Sequence, residues 1–354
     1  MKKCISIFVS TIGTGGAEKQ AALLAKALSH DYKVLLIALY GNYEQSKWVV
    51  SILKESGADI YLLTDSWLKK IYQYGKILKD NNVYCVFNYL TQCDFFGGLI
   101  AKLCGVNLIY NGIRNSEMEI YKVVLEFFAH NFVVSGTIFN SYAGKNAFIQ
   151  RGFIKNKCIT IPNCLFDIKD PINRNEVEIK EIITVGRFVP LKDYKTAIRA
   201  ISELKKQRKD FVFNIVGYGI LENEIRELVK LYNVSDVVRF YINSNEIIKL
   251  LVKSDIYLST SLFEGTSNSI MEAMNCCLPI VATNVGDNQC LVSENNSGFL
   301  HTIGDYKGIA LSLEKLLSDI DLRNRMGTYA NWILRENYSF DTFKTRYISI
   351  IEKL

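Results

Sequence analysis

Short runs of apolar, β-branched and aromatic residues alternate with longer runs of helical apolar spacing along the whole chain. In the first half, the short runs predict buried strands at residues 5–10, 33–39, 59–63, 84–88, 107–110 and 131–134. The segments 17–29, 67–79 and 137–150 have the apolar spacing of helices. This alternation predicts a parallel sheet with helices on both faces.

The same alternation starts again after a turn-rich stretch at residues 162–173, which we interpret as a linker. Further strands are predicted at residues 181–186, 211–217, 237–241, 255–259 and 278–282. The predicted fold class is therefore α/β, with two doubly wound, Rossmann-like domains at residues 1–168 and 169–337. Ligands of such sheets bind at the carboxyl ends of the strands, so two domains in tandem predict a ligand cleft between them.

Composition places an excess of positive charge in the first domain. The 354 residues are 49% apolar and carry a net charge of +6. Residues 1–170 contain 19 Lys and Arg against 13 Asp and Glu, whereas residues 171–354 contain 23 of each. A basic half beside a neutral half predicts a surface that meets an anionic partner: lipid, nucleic acid or a phosphorylated substrate.

Cysteine usage and hydropathy indicate a reducing, aqueous compartment. The nine cysteines include no Cys-x-x-Cys spacing, which favours reduced, buried thiols over disulfides or a zinc site. The most apolar window, residues 123–140, is interrupted by Glu126, His130 and Asn131 and is not predicted to span a membrane. The N-terminal apolar run fits a first buried strand better than a signal peptide. We therefore expect the protein in the cytoplasm.

A glycine-rich turn, Gly13-Thr14-Gly15-Gly16, lies between the first predicted strand and helix. Glycines at such a turn let backbone N–H groups approach an anion at the helix N-terminus. The turn lacks the third glycine of a dinucleotide-binding fingerprint, and no acidic residue ends the second strand. Close approach of a phosphate or sugar is the favoured interpretation, with a nicotinamide site and a purely structural turn as alternatives.

Two cations follow the first strand of the second domain. Arg187 ends the predicted strand, and Lys192 lies five residues later at the start of the next helix. Both can face the ligand edge of the sheet, where together they would neutralise a diphosphate without a metal ion. The alternative is an ordinary solvated pair of surface cations.

The segment from Ser259 to Met274 combines a strand end, a glycine-containing loop and a helix start. Glu264 lies in the loop, and helical spacing places Asn268, Ser269 and Glu272 on one polar stripe. A loop carboxylate, a helix carboxylate and the helix N–H groups would form an anion site beside two groups able to bind sugar hydroxyls. The alternative is a solvated helix start with incidental acids.

These motifs resemble the signature of retaining glycosyltransferase family 4, whose members have the two-domain GT-B fold. The resemblance is carried by Arg187 and Lys192, by Glu264 and Glu272 with seven residues between them, and by the segment PIVATNVG at 279–286. The segments GGAEK at 15–19 and IPN at 161–163 extend the resemblance to the first domain.

The resemblance implies a role for each matching residue. Arg187 and Lys192 would hold the donor diphosphate and stabilise the leaving nucleotide in place of a metal; Glu264 would contact the transferred sugar, and Glu272 would bind the ribose hydroxyls. No metal and no other cofactor is expected. The remaining donor-side candidates are Gly15, Gly16, Gly265, Thr266, Ser267 and Asn268.

The sequence departs from the family pattern at two places. Many relatives carry a His near a strand end of the first domain, but no histidine falls in residues 86–89 or 110–115. Asn111 or Arg114 is our candidate for that place, and Glu18 and Lys19 are further acceptor-side candidates. The family's usual Glu after Gly286 is missing, which leaves the donor sugar open.

Two helical segments bear on partners. Residues 66–80 are basic and aromatic, and Trp67, Leu68, Ile71, Tyr74 and Leu78 share one side. Such a helix either lies in a lipid interface, on the inner face of the cell membrane, or packs on the sheet. Residues 338–354 also have helical spacing and, as in similar transferases, are expected to cross back to the first domain. Nucleic-acid binding is not predicted, because no recognition motif occurs.

The leading hypothesis is a retaining transferase that moves a hexose or N-acetylhexosamine from a nucleotide sugar to a lipid-linked or polysaccharide acceptor. A UDP-sugar is favoured and a GDP-sugar is the alternative donor. The rival hypotheses are a sugar-nucleotide epimerase or a phosphorylase on the same fold, and an inactive sugar-nucleotide-binding partner protein.

Overall fold

A computed structural model describes residues 2–41, 44–114 and 118–352. The chain divides into two compact units. Unit 1 contains residues 1–166 and 340–354, and unit 2 contains residues 167–339. The corresponding boundaries predicted from the sequence follow residues 168 and 337. Asn115 and the last two residues of the predicted C-terminal helix lie outside the described ranges.

Unit 1 is built on a parallel sheet which, over the described residues, has seven strands in the order β3-β2-β1-β4-β5-β6-β7. Its strands are β1 Cys4–Val9, β2 Lys33–Ala38, β3 Asp59–Leu62, β4 Val83–Asn88, β5 Leu108–Ile113, β6 Gly136–Phe139 and β7 Cys158–Thr160. Its helices are α1 Gly16–Ser29, α2 Lys47–Ser56, α3 Trp67–Asp80, α4 Gly98–Leu103, α5 Ile120–Phe128, α6 Tyr142–Gln150 and α14 Phe340–Ile351. π-Helical turns at Cys93–Gly97 and Ala129–Val133 precede α4 and follow α5, and a 3-10 turn spans Lys155–Lys157.

Unit 2 has a parallel sheet with the order β10-β9-β8-β11-β12-β13. Its strands are β8 Lys180–Arg187, β9 Phe211–Tyr218, β10 Val238–Ile242, β11 Ile256–Ser259, β12 Ile280–Thr283 and β13 Gly298–His301. Its helices are α7 Tyr194–Lys205, α8 Glu222–Leu231, α9 Ile247–Lys253, α10 Asn268–Asn275, α11 Asn288–Leu291, α12 Tyr306–Ser318 and α13 Ile320–Tyr338, with a 3-10 turn at Pro190–Lys192. In both units the strand order changes direction next to the first strand of the unit, β1 or β8. This is the doubly wound topology predicted from the sequence.

The strand predicted at residues 131–134 is wrong. Residues 129–133 form a π-helical turn that continues α5, and the strand is β6, which overlaps the start of the segment predicted to be helical. The buried imidazole of His130 stabilises the turn, because Nδ1 lies 2.8 Å from the Thr137 hydroxyl and Nε2 lies 3.2 Å from the Ile154 carbonyl oxygen. Gly136 leaves room for β6, since a Cβ there would lie 3.0 Å from the Lys157 carbonyl oxygen. The short strands β7 and β13 were not predicted.

The last helix, α14, completes the core of unit 1. Phe343 and Tyr347 are 1% and 0% exposed, and both belong to the cluster that covers one face of the sheet. The Tyr347 ring meets Phe87 of β4 edge-on with centroids 5.3 Å apart. The core of unit 1 is therefore assembled from both ends of the chain.

Helix α3 divides its apolar residues between the core and the surface. Tyr74 and Leu78 are each 1% exposed, and Tyr74 stacks on Phe8 with ring centroids 4.2 Å apart. In contrast, Leu68 is 78% and Tyr72 71% exposed. The second half of α3 thus packs on the sheet, whereas its first turns present apolar side chains to solvent. No helix in the described ranges has the length and apolar character needed to cross a bilayer.

All nine cysteines are unpaired thiols, as expected from their spacing. Seven are buried and Cys104 is half-buried, but Cys290 is exposed, contrary to the expectation of burial. It lies in the short helix α11, where residues 289 and 290 face outward.

Candidate functional site

The two predicted cations lie at the carboxyl end of β8, the first strand of unit 2. Arg187 is the last residue of the strand and is exposed, and Lys192 ends the 3-10 turn that follows. The Lys192 side chain lies against the strand end, because a Cβ on Gly186 would meet Lys192 Cε at 3.4 Å, an ordinary van der Waals distance. The Tyr194 hydroxyl donates to the Gly186 carbonyl oxygen at 3.0 Å and fixes the strand end to α7.

Lys192 and Glu264 form an ion pair. Lys192 Nζ lies 2.5 Å from Glu264 Oε1, and their side chains are 21% and 12% exposed. The Ser261 hydroxyl donates to the same carboxylate oxygen at 2.7 Å. This charge-assisted contact brings together two of the predicted catalytic side chains, which partial burial shields from solvent.

The loop that carries Glu264 is held by tight backbone contacts. Gly286 has a φ of +53°, and a Cβ at this position would lie 1.8 Å from the Glu264 carbonyl oxygen. The Thr283 hydroxyl donates to the Ser261 carbonyl oxygen at 2.6 Å. Only glycine combines this conformation with such a close approach, so the motif after β12 positions the Glu264 loop.

The predicted donor-side stripe lies at the start of α10. Thr266 and Ser267 are buried, Ser267 is the N-cap residue, and Asn268 is exposed. Glu272 is half-buried one turn further on. Burial raises the pKa of the Tyr257 phenol, and a hydrogen bond with Ser269 lowers it. The nearby charges of Glu264, Tyr194 and Glu272 raise this pKa further. Both carboxylates are therefore close enough to one buried phenol to act on it, beside a helix N-terminus that favours anions.

In unit 1, the glycine turn forms the start of α1 as predicted. Gly15 is the N-cap residue, and Gly16 is the first residue of the helix. Glu18 folds back against this turn, because it accepts a hydrogen bond from the Thr11 hydroxyl at 3.0 Å and a Cβ on Gly15 would lie 2.2 Å from its Oε2. The ammonium of Lys19 lies 6.0 Å from the ring centre of Trp48. The roles of these four residues remain predictions.

The other two acceptor-side candidates have different environments. Asn111 is fully buried in β5 and accepts a hydrogen bond from Asn88 Nδ2 at 3.0 Å. Arg114 follows β5, lies over the Tyr89 ring and donates to Asn163 Oδ1 and to the Tyr347 hydroxyl, both at 3.3 Å. Of the two, Arg114 lines a cavity.

This cavity, which we call the acid-lined cavity, has a volume of about 730 Å³ and lies within unit 1. Its wall includes Asp94, Arg114 and Glu126. Asp94 and Glu126 were not predicted from the sequence as site residues. The available signal was the interruption of the apolar window by Glu126, which was treated only as evidence against a membrane span.

No cluster of three or more His, Cys, Asp or Glu side chains suited to a metal ion occurs in the described ranges. In the Asp319-Ile320-Asp321 segment, Asp319 caps α13 by accepting from the Leu322 N–H at 2.9 Å. That acid therefore has a structural partner.

Comparison with known proteins places this chain among glycosyltransferases. Residues 166–332 match the family model "Glycosyl transferases group 1". Over 360 residues, which cover 96% of both proteins, the chain is 24% identical to N-acetylgalactosamine-N,N'-diacetylbacillosaminyl-diphospho-undecaprenol 4-alpha-N-acetylgalactosaminyltransferase of Campylobacter jejuni. It is 26% identical to UDP-Gal:alpha-D-GlcNAc-diphosphoundecaprenol alpha-1,3-galactosyltransferase of Escherichia coli, over 74% of this chain and 73% of that protein.

The fold also has close counterparts among solved structures. Anabaena Alr3699/HepE in complex with UDP superposes with a TM-score of 0.83 over the full length of both chains, at 17% identity. The apo form of the lipopolysaccharide outer core galactosyltransferase WaaB gives 0.79, with 99% of this chain and 100% of that chain covered at 16% identity. Together, these comparisons show that residues 166–332 match the glycosyl transferases group 1 family and that the chain has the GT-B fold.

Proposed function

We propose that this glycosyltransferase is a retaining, metal-independent enzyme of family 4 that transfers a hexose or N-acetylhexosamine from a UDP-sugar to a lipid-linked acceptor. The observation that carries the proposal is the Lys192–Glu264 ion pair beside the start of α10. It combines a cation for the leaving diphosphate with a carboxylate for the transferred sugar.

Departure of a nucleoside diphosphate requires compensating positive charge. Arg187 is exposed at the end of β8, and its guanidinium makes no hydrogen bond or ion pair with any described residue. It is therefore available to an incoming diphosphate, and Lys192 supplies the second charge after exchanging Glu264 for phosphate oxygens. Glu272 would accept hydrogen bonds from the ribose, while the amides of 265–267 assist at the diphosphate.

The relatives support the acceptor class and the stereochemistry. The Campylobacter and Escherichia coli enzymes are named for diphosphoundecaprenol-linked substrates and for alpha linkages. An alpha product from an alpha-configured nucleotide sugar is the outcome of retention. We therefore assign this chain to cell-surface glycan synthesis with an acceptor of the same chemical class.

A lipid-linked acceptor requires access to a membrane. The exposed Leu68 and Tyr72 at the start of α3, beside Lys69, support peripheral contact with an anionic bilayer through residues 66–80. Helix α5 adds Ile120, which is 78% exposed, and Val124, which is 59% exposed. We propose that these side chains hold the enzyme at the inner face of the cell membrane.

The test begins with thermal shifts of the full chain against UDP-, GDP-, ADP- and CMP-sugars, with and without EDTA. A selective shift that EDTA does not change is expected. Transfer to short-chain polyprenyl-diphosphate sugars then identifies the acceptor, and the anomeric configuration of the product is read by NMR. A product of inverted configuration, or turnover abolished by EDTA and restored by a metal ion, would contradict the proposed mechanism.

Two variants test the site itself. Arg187→Ala is expected to abolish turnover, and Glu272→Ala is expected to weaken nucleotide-sugar binding. Their matched controls are Arg239→Ala and Glu224→Ala, which remove an exposed arginine of β10 and an acid from the first turn of α8. Wild-type behaviour of both site variants would refute the assignment. A changed free sugar nucleotide without any acceptor would instead indicate the epimerase.

A further inference from the structure

A second cavity, of about 540 Å³, lies within unit 2. Its wall includes Arg325 and Trp332 of α13, Asn295 and Asn296 of the turn before β13, and Asn173 of the segment before β8. We call it the asparagine-lined cavity, because four of its eight lining residues are asparagines. Its volume falls within the range of small-molecule sites.

The asparagine-lined cavity lies at the amino ends of the strands of unit 2. Asn295 and Asn296 come shortly before Gly298, the first residue of β13. In contrast, Arg187 is the last residue of β8, and Gly286 follows the carboxyl end of β12. These strands run parallel, so their amino and carboxyl ends form opposite edges of the sheet. The cavity is therefore separate from the proposed donor site, which has the position usual for ligands of such sheets.

Hydrogen bonds within unit 2 hold the walls of this cavity. Asn324, which also lines it, accepts from the Arg174 N–H at 2.8 Å and donates to the Arg174 carbonyl oxygen at 3.0 Å. The Arg174 guanidinium donates in turn to three carbonyl oxygens at the amino edge of the sheet, at 2.6–2.7 Å. On the other wall, the Asn295 N–H donates to the Gly298 carbonyl oxygen at 2.9 Å. The cavity is thus formed by the folded unit before any ligand arrives.

Two aromatic rings lie side by side on the cavity wall. Tyr329 and Trp332 are one helical turn apart on α13, with ring centres 5.2 Å apart and ring planes inclined by 41°. They are 37% and 49% exposed. The face of an aromatic ring carries partial negative charge, and the polarised C–H groups of a pyranose ring pack against it. The pair therefore offers a stacking surface for a sugar.

The polar side chains of the wall suit sugar hydroxyls. A side-chain amide both donates and accepts hydrogen bonds, as a hydroxyl does. The side chains of Asn173, Asn295 and Arg325 make no hydrogen bond with any described residue. Among the described residues that line the cavity, Arg325 alone is charged. A polyphosphate would require more cations, and a lipid surface would require more basic side chains and a larger apolar area.

We propose that the asparagine-lined cavity is a carbohydrate-binding site, separate from the catalytic site, in which a pyranose ring stacks on Tyr329 and Trp332. The side-chain amides of the asparagines and the Arg325 guanidinium bind the polar groups of the sugar. The ligand class is a short oligosaccharide. This inference goes beyond the proposed transferase function and does not depend on it. In an enzyme that builds glycans, such a site keeps a glycan chain beside the protein and raises its effective concentration.

The three tryptophans of the chain allow this site to be observed directly. The full chain is labelled with fluorotryptophan, and its fluorine NMR spectrum is recorded during titration with trisaccharides of glucose, galactose, N-acetylglucosamine and galacturonic acid. Trp332→Phe assigns the Trp332 signal. At least one trisaccharide is expected to shift this signal saturably, whereas the signals of Trp48 and Trp67, which belong to unit 1, stay in place. Preference for the galacturonic acid trisaccharide would assign Arg325 to a sugar carboxylate, and preference for a neutral one would assign the amides to hydroxyls.

Variants of the second ring test the stacking surface. Tyr329→Ala is expected to weaken trisaccharide binding about tenfold, because one of the two rings is lost, and Tyr329→Phe should stay within about threefold of wild type. Tyr218→Ala is the matched control and should bind normally, since Tyr218 is 56% exposed at the carboxyl end of β9, on the other edge of the same sheet. Melting temperatures are recorded for every variant, so that a folding defect is recognised.

The outcomes separate this site from other occupants and from the transferase proposal. The carbohydrate site is overturned if none of the trisaccharides shifts the Trp332 signal, or if folded Tyr329→Ala binds as the wild type does. A Trp332 shift caused by phosphatidylglycerol vesicles but by no trisaccharide would identify a lipid contact instead. Nucleotide-sugar binding is measured on the same samples. Its absence from a protein that binds a trisaccharide would count against the proposed transferase function and support the carbohydrate site.

Discussion

The ammonium of Lys192 lies 2.5 Å from the Glu264 carboxylate, joining two segments that are 72 residues apart in sequence. In this state, the cation proposed for the donor diphosphate is already paired with the acid proposed for the sugar. When the donor binds, Lys192 must therefore exchange the Glu264 carboxylate for phosphate oxygens. Donor binding is thus expected to change when either charge of the pair is removed.

Replacing the cation should affect turnover more than folding. Lys192→Met is expected to lower kcat by about 10²–10³-fold, the usual effect of removing one group that stabilises transition-state charge. The matched control is Lys205→Met, because Lys205 is 23% exposed and also lies 2.5 Å from an acid, Asp236, in the same unit. An equal loss of activity in both variants would contradict the assignment.

The pair can also be tested for coupling. Lys192 and Glu264 are in contact, so their substitutions should not have additive effects. The loss of nucleotide-sugar binding free energy caused by Lys192→Met should differ between the wild type and the Glu264→Gln variant by about 0.5–3 kcal/mol, the range typical of contacting residues. Calorimetric titration of the two single variants and the double variant measures this difference. If the effects of the two substitutions on affinity simply add, the contact between Lys192 and Glu264 does not contribute to nucleotide-sugar binding.

Gly286→Ala should disrupt the Glu264 loop. The new Cβ would lie 1.8 Å from the Glu264 carbonyl oxygen, in a backbone conformation with φ of +53°. We expect loss of nucleotide-sugar binding and a stability decrease of about 2–3 kcal/mol in chemical denaturation. Gly304→Ala is the control, since its φ is +79° but a Cβ there meets nothing within 4 Å. It should lose about 1 kcal/mol and keep donor affinity.

The buried acids of unit 1 predict a pH-dependent stability. A carboxyl whose pKa is raised by folding stabilises the native state below its ordinary pKa, and that contribution is lost as the pH rises through the native value. For Asp94, the loss falls between about pH 4 and 6, and for Glu126 it extends higher. Asp94→Asn should therefore be more stable than wild type at pH 8, by about 2–3 kcal/mol, and nearly equal to it at pH 4. Glu126→Gln should differ from wild type in the same direction at pH 8.

Urea denaturation at the two pH values measures this effect. Glu227→Gln, in which a side chain that is 71% exposed loses its charge, provides the control and should show no such difference. Equal stability of the wild type and the buried-acid variants at pH 8 would show that the acids are not held in an unfavourable environment. The charged neighbours of the two acids in the cavity are Arg114, Glu119, Lys122 and Arg151.

Membrane contact through α3 should depend on its first turns. Leu68→Glu is expected to reduce cosedimentation with vesicles containing phosphatidylglycerol at least fivefold, because an acid replaces an exposed apolar side chain beside Lys69. Leu311→Glu is the matched control, as Leu311 is 63% exposed on α12 of unit 2. Equal binding by both variants would exclude residues 66–80 as the contact.

The sequence predicted most buried strands because, in a parallel sheet covered on both faces, each strand is a short apolar run. The prediction failed around His130, where the valines that follow look like a strand but the buried imidazole holds a π-helical turn. Local periodicity does not contain this contact with Thr137.

The candidate site shows the same limit. Lys192 and Glu264 were assigned from motifs, but their direct pairing depends on the close approach of Gly286 to the Glu264 backbone, which no local pattern reveals. Glu126 was treated as a break in an apolar stretch. Its partner in the cavity wall, Asp94, comes from a different element, so the sequence offered no reason to combine them.

Unit 2 is a continuous stretch of chain inserted into unit 1, whose last helix, α14, comes after it. During synthesis, the ribosome therefore releases all of unit 2 before the core of unit 1 can receive Phe343 and Tyr347. Although unit 1 is begun first, it is finished last. Until α14 has left the ribosome, the part of α1 that packs against it stays uncovered, so the core of unit 1 is exposed to aggregation up to the last step of synthesis.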